Sequence, residues 1–162
     1  MTKERKPAIL YRLQSAARLG RTSLATRLLE HGLYAGQDAI MLQLAAEDGL
    51  PPGILAQRLG VRPPTVTKTI ARLQSQGFVT KQASEKDQRQ AHVFLTESGR
   101  DVIKTIEKSI RKTEKEALRG LDKKERKTFL KLLNRLEINL SARELARHAD
   151  GADETADEED VA

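Results

Sequence analysis

The sequence of 162 residues predicts a mainly α-helical chain with a small β-hairpin, and three observations carry that reading. Apolar residues recur at helical spacing through most of the chain, as do Val66, Ile70 and Leu73 at i, i+4 and i+7. Two short runs, Phe78-Val79-Thr80 and His92-Val93-Phe94-Leu95, have strand composition and flank a charged stretch at 83–91. Gly60, Pro63-Pro64 and Gly77 punctuate the region just before that hairpin, which divides it into short pieces.

The pieces give a helix over Ile54–Leu59 closed by Gly60, a turn, and a second helix opened by Pro63-Pro64. Proline suits a helix start because the N–H it lacks has no partner there. With Val66, Ile70 and Leu73 docked on a core, Thr65, Thr67, Lys68 and Arg72 are left on the other faces. Helix, turn, helix and hairpin make a winged helix-turn-helix, a module whose second helix commonly lies in a DNA groove.

Long helices flank the module. Residues 1–7 are polar and read as frayed, and Ala8–His31 forms an amphipathic helix that includes Ile9, Leu13, Leu24 and Leu28. Gln37–Asp48 is the next helix, and Gly49–Gly53, with two prolines, breaks the chain. Thr96 is placed to cap a helix from Glu97 on, with Val102, Ile103, Ile106 and Ile110 on its apolar stripe. Gly120 ends or bends it, and Asp122 with Glu125 resembles a capping box that starts a last helix. That helix carries Phe129, Leu132, Leu133, Leu136 and Leu140 on one stripe. The flanking helices hold more apolar surface than the module can cover, so a second copy of the chain is the expected partner. The expected organisation is an N-terminal dimerisation helix at 1–33, the winged module at 34–98, C-terminal dimerisation helices at 99–147 and a disordered acidic tail at 148–162.

Charge is distributed unevenly. Seven of the 23 acids and none of the 29 basic residues lie beyond residue 147, so the net charge of +6 understates how basic the rest is. From Arg58 to Arg89 there are seven basic residues and two acids, which suits a polyanionic partner. With no cysteine, disulfides, thiolate metal sites and thiol redox sensing are excluded. No apolar run approaches a membrane span and no secretory signal is visible, so a cytoplasmic location is expected. His31, His92 and His148 show no ligand spacing, and no phosphate loop, nucleophile elbow or metal motif appears. Neither an enzyme nor a bound cofactor is expected. A winged-helix docking module without specific DNA binding is the alternative; it predicts an apolar or acidic second helix where this chain has Thr, Lys and Arg.

LAQRLGVRPPTVTKTIARLQSQGFV, followed by EKDQRQAHVFLTESGR, resembles the MarR family of bacterial transcription regulators. Asp87, Arg89, Leu95, Thr96 and Gly99 match the family pattern, and Gln90 stands where an acid is common. The resemblance spans roughly Ile9 to Leu140. It implies a homodimer with intertwined terminal helices that reads a pseudo-palindromic site in double-stranded DNA. Carried over residue by residue, it puts Pro64, Thr65, Thr67 and Lys68 on the base-reading helix and Arg89 on a wing that enters the minor groove. Arg62, Arg72, Lys81 and Lys86 are the candidates for phosphate contacts. It further implies a small-molecule effector such as an aromatic acid, bound between the dimer helices and the winged modules. Arg18, Arg21 and Tyr34 are the candidates to meet its carboxylate or phenol, and are equally open to dimer-interface or surface roles.

Overall fold

A computed structural model of the chain describes residues 8–83 and 91–153, with side chains as far as residue 141. Within those residues the order is α1 (Ile9–Leu29), α2 (Gln37–Ala46), α3 (Pro52–Leu59), α4 (Pro63–Ser75), β1 (Val79–Ala83), β2 (Ala91–Leu95), α5 (Glu97–Ala117) and α6 (Lys123–Asp153). A mainly helical chain with a small hairpin is therefore what the sequence folds into. The chain divides into two compact units, Met1–Ala117 and Leu118–Ala162.

In the first unit, α2 is the hub. It packs on α3, α4, α5 and β2, while α1 packs on α5 and α4 on β1. Ile40, Met41 and Leu44 of α2 are fully buried with Leu28, Leu55, Ile70, Leu73, Val93 and Ile106. On the apolar residues of α2, Met41 is core, whereas Leu42 is half-buried and Ala45 exposed. In a short helix that is apolar nearly all round, spacing alone does not choose the inward face.

The hairpin is antiparallel, from Val79 opposite Leu95 to Ala83 opposite Ala91. β1 begins one residue later than expected because the Phe78 N–H closes the end of α4 on Leu73 O at 2.9 Å, although its carbonyl still accepts the N–H of Thr96 at 3.0 Å. Leu50 adds a single bridge on the other edge of β2, with Val93 N–H donating to Leu50 O at 3.1 Å and Gly49 N–H to Val93 O at 3.0 Å. No sequence pattern announces this bridge, since one residue has no alternation to read. α3 also starts earlier than expected, at Pro52, with Pro51 extended before it. Pro52 thus opens the helix instead of breaking the chain.

The start of α5 is locked to the hairpin. Thr96 Oγ1 accepts the N–H of Gly99 at 3.0 Å, as a helix cap should, and donates to Gly77 O at 2.6 Å. Gly99 lies so close to the chain before β1 that a Cβ built on it would be 2.0 Å from the carbonyl oxygen of Phe78.

In the second unit the capping box at the head of α6 is formed. Asp122 N–H donates to Glu125 Oε2 at 2.7 Å, and Asp122 Oδ1 accepts the N–H groups of Lys124 and Glu125 at 2.7 and 2.8 Å. Arg126 adds hydrogen bonds to the carbonyls of Leu121 and Leu118. Of the expected stripe on α6, Leu133 is half-buried while Phe129, Leu132, Leu136 and Leu140 are exposed. α6 runs to Asp153, so residues 148–153 of the expected tail are helical, and 154–162 lie outside the described residues, as do residues 1–7.

Gly99→Ala should cost about 3 kcal/mol, because its methyl meets backbone that cannot rotate away. Gly20→Ala, inside α1 with nothing within 4 Å, should be neutral or gain up to about 1 kcal/mol. Urea unfolding of both variants checks the contrast.

Candidate nucleic-acid interface

α4 presents two unlike faces. Val66, Ile70 and Leu73 are at most 1% exposed. On the other side Arg62, Pro63, Pro64, Thr65, Thr67, Lys68, Ala71 and Arg72 are all exposed. Pro64, Lys68 and Arg72 fall at i, i+4 and i+8 and so share one line along the outward surface. Among the described residues, ion pairs engage Arg27, Arg58, Arg100 and Arg111 but none of Arg62, Lys68 and Arg72. Within that set these three cations project from the module without a carboxylate at hand.

The local chemistry of α4 restricts what each group can offer. Arg62 is its N-cap, without a side-chain cap hydrogen bond, and Pro63 and Pro64 bring no N–H to the first turn. The Thr65 N–H donates to Arg62 O at 3.0 Å. The helix start thus lacks the row of free N–H groups that usually holds an anion, and a phosphate there would depend on side chains. Thr67 Oγ1 donates to Pro63 O at 3.1 Å and Thr69 Oγ1 to Thr65 O at 2.9 Å. With its proton committed, Thr67 has lone pairs and a methyl left for a base edge. Lys81 on β1 is half-buried opposite Val93. Lys86 and Arg89 lie outside the described residues.

Asp48, in the turn after α2, braces the module from behind. Its Oδ1 accepts the N–H of Leu95 at 2.9 Å and of Gly49 at 3.1 Å, while Oδ2 pairs with Arg100 of α5. One carboxylate therefore joins the α2–α3 turn, β2 and α5. The expectation of helix through Asp48 misses this because α2 stops at Ala46 and frees the carboxylate to bond the backbone. Nothing in sequence links Asp48 to partners 47 and 52 residues away.

Among the described residues, two of the three candidates for an effector border separate spaces. Arg21 borders a cavity of about 180 Å³ between α1 and α2, lined mainly by apolar groups such as Leu24, Leu28 and Ala39, with Asp38 also on its wall. Tyr34 borders a separate, open groove of about 430 Å³ with Arg72, Ser75 and Gln76. Arg18 is exposed and lines neither. No group of three His, Asp or Glu side chains that could hold a metal ion occurs among the described residues, and no described helix is long and apolar enough to cross a membrane.

Residues 33–91 match the model of the MarR family. A solved structure of MarR is 25% identical, with a TM-score of 0.75 over 93% of this chain and 99% of that one. A mutant MarR from E. coli, complexed with operator DNA, is 21% identical with a TM-score of 0.71, covering 76% of this chain and 89% of its own. Bordetella bronchiseptica BpsR, described in terms of regulation of its DNA binding by 6-hydroxynicotinic acid, is 19% identical with a TM-score of 0.73 over 80% and 98%. The last two likenesses concern the fold alone.

Asp48→Ala should cost about 1–3 kcal/mol by leaving the Leu95 N–H without its acceptor. Asp48→Asn keeps an acceptor and loses only a partly exposed ion pair, so it should cost no more than about 1 kcal/mol. Thermal unfolding of the two variants separates the roles.

Proposed function

We propose that this chain, which carries the MarR family pattern over residues 33–91, is a homodimeric, sequence-specific DNA-binding transcriptional regulator. The observation that carries the reading is the division of α4 into a buried apolar face and an exposed face with Lys68 and Arg72 free of carboxylates among the described residues. α4 enters the major groove, where Pro64, Thr65, Thr67 and Lys68 meet base edges. Arg62, Arg72, Lys81 and Lys86 hold phosphates, which sets register without reading sequence. Arg89 reaches the minor groove from the wing and reads its width. The operator-bound MarR mutant of the same fold supports this arrangement.

Homodimerisation is supported by apolar surface on the flanking helices. Ile9, Leu10, Tyr11 and Leu19 of α1 and Phe129, Leu130, Leu132, Ile138 and Leu140 of α6 are all 47% exposed or more. Exposed apolar surface of this extent marks an interface. Residues 1–33 and 99–147 serve as dimerisation helices around the module at 34–98, and two modules then read two half-sites about one helical turn apart. The alternative of a docking module loses its expected apolar or acidic second helix, because α4 presents Thr, Lys and Arg outward.

The regulator acts as a repressor whose operator affinity falls when a small aromatic acid binds. The apolar cavity beside Arg21 suits such a ligand, with the ring among Leu24, Leu28 and Ala39 and the carboxylate toward the guanidinium. The BpsR precedent, where an aromatic acid regulates DNA binding, supports the class of effector. An effector works only through different affinities for the two spacings of the recognition helices.

Fluorescence anisotropy with DNA from the protein's own upstream region, beside a scrambled duplex and across salt, tests the DNA reading. The cognate duplex should bind at least about a thousandfold tighter. Lys68→Ala should lose about 1–3 kcal/mol on the operator and relax its specificity. Arg72→Ala should weaken both duplexes alike and lower the salt slope by about 0.9 for each phosphate it no longer neutralises. If neither duplex binds at low salt and site selection finds no preferred sequence, the reading is wrong. For the effector, 4-hydroxybenzoate, salicylate and 6-hydroxynicotinate are titrated against melting temperature: at about 100 times its dissociation constant a ligand adds about 2.7 kcal/mol. Arg21→Ala should abolish that shift, and no shift with any of the three would remove the proposed pocket.

A further inference from the structure

The C-terminal end of α4 is tied to the segment between α1 and α2 by three hydrogen bonds in series. Gln76, the C-cap of α4, donates from Nε2 to the carbonyl of Gly32 at 2.7 Å. Its Oε1 accepts from Gln37 Nε2 at 2.6 Å, and Gln37 Oε1 accepts the backbone N–H of Tyr34 at 2.8 Å. The two ends dictate the sense of the whole series. A backbone carbonyl at Gly32 requires a donor and a backbone N–H at Tyr34 requires an acceptor, so each amide has one orientation and the central bond runs from Gln37 to Gln76.

Gln37 is 1% exposed at the first position of α2, within a core that is otherwise almost wholly aliphatic. A leucine of similar length would fill that space without desolvating an amide. What an amide supplies, and a leucine cannot, is direction. The apolar contacts of Val66, Ile70 and Leu73 hold α4 against the core but resist tilting only weakly, whereas the part-buried hydrogen bond between Gln37 and Gln76 at its end fixes angle as well as distance. Lys68 lies eight residues from Gln76, about 12 Å along the helix. A tilt of about 5° pivoting on Gln76 therefore moves Lys68 by about 1 Å, enough to spoil hydrogen-bond geometry at a base edge.

We propose that Gln37 and Gln76 are positioning residues for sequence recognition: their amide–amide bond, anchored on Gly32 and Tyr34, sets the angle at which α4 presents Lys68. The inference rests on the DNA-reading role of α4 given above. Neither glutamine touches the DNA. Their loss is felt as a loss of discrimination, because phosphate contacts from flexible cationic side chains tolerate an ångström of error and base contacts do not.

The test compares Gln37→Leu, Gln76→Leu, the double variant and Leu44→Val with the parent, full-length and below every melting transition. Leu44→Val is a core substitution that lowers stability without touching the series. Each protein is titrated with the operator obtained by site selection and with a scrambled duplex. Each glutamine variant should lose about tenfold in preference for operator over scrambled duplex, with scrambled affinity and salt slope unchanged. The double variant should lose no more than either single one, since both break the same bond. Leu44→Val should keep the preference. Preference within about twofold of the parent in both single variants, losses that multiply in the double variant, or an equal loss in Leu44→Val overturns the proposal. A parent that prefers no duplex overturns the DNA reading itself, and is told apart because that result needs no variant.

Discussion

The structure of the first unit depends on the burial of one face of a single helix. Val66, Ile70 and Leu73 are each worth about 1.5–3 kcal/mol when removed from water, and all three are buried to within 1%. Their burial rolls α4 so that Pro64, Lys68 and Arg72 point away from the protein. Nearly every other element of the unit bears on the surface that receives them: α2 and α3 beneath, β1 alongside, and Ile106 of α5 in the same core. The outward basic face of α4 is a consequence of apolar packing, and its cations need no interaction of their own to be held outward.

Polar contacts do a different task. Asp48 gathers the α2–α3 turn, β2 and α5 with one carboxylate, and the Gln37–Gln76 pair gathers the start of α2 and the end of α4. Both lie at ends of elements, where backbone groups lack helical or sheet partners. Apolar burial decides which faces meet. These few directional bonds add a constraint on the angle at which they meet.

Much of this is legible in the sequence because it is local. Periodicity locates α4 and its buried face, Pro63-Pro64 its start, Thr96 the cap of α5, and Asp122 with Glu125 the capping box of α6. Sequence and structure part where long-range bonds take over. Asp48 fits a helical pattern yet is drawn out to bond Leu95, and Leu50 sits in an apparent break yet pairs with Val93. Gln37 and Gln76 carry no signal at all, since a glutamine in a helical pattern looks like ordinary solvated surface. Arg18, Arg21 and Tyr34 are alike in what they could bind, but the backbone sends Arg21 to a cavity and Tyr34 to a groove.

The contact at Gly99 has a consequence for how this protein can move. With its Cα against the Phe78 carbonyl, and Thr96 bridging Gly77 and Gly99, the foot of the hairpin and the first turn of α5 are riveted together. Any swing of the hairpin must carry the beginning of α5 with it as a lever arm, and any push along α5 is delivered to the hairpin without slack. A hinge cannot sit at that junction. It has to lie where the chain is held by fewer bonds, so the elements that travel together are set by a residue with no side chain at all.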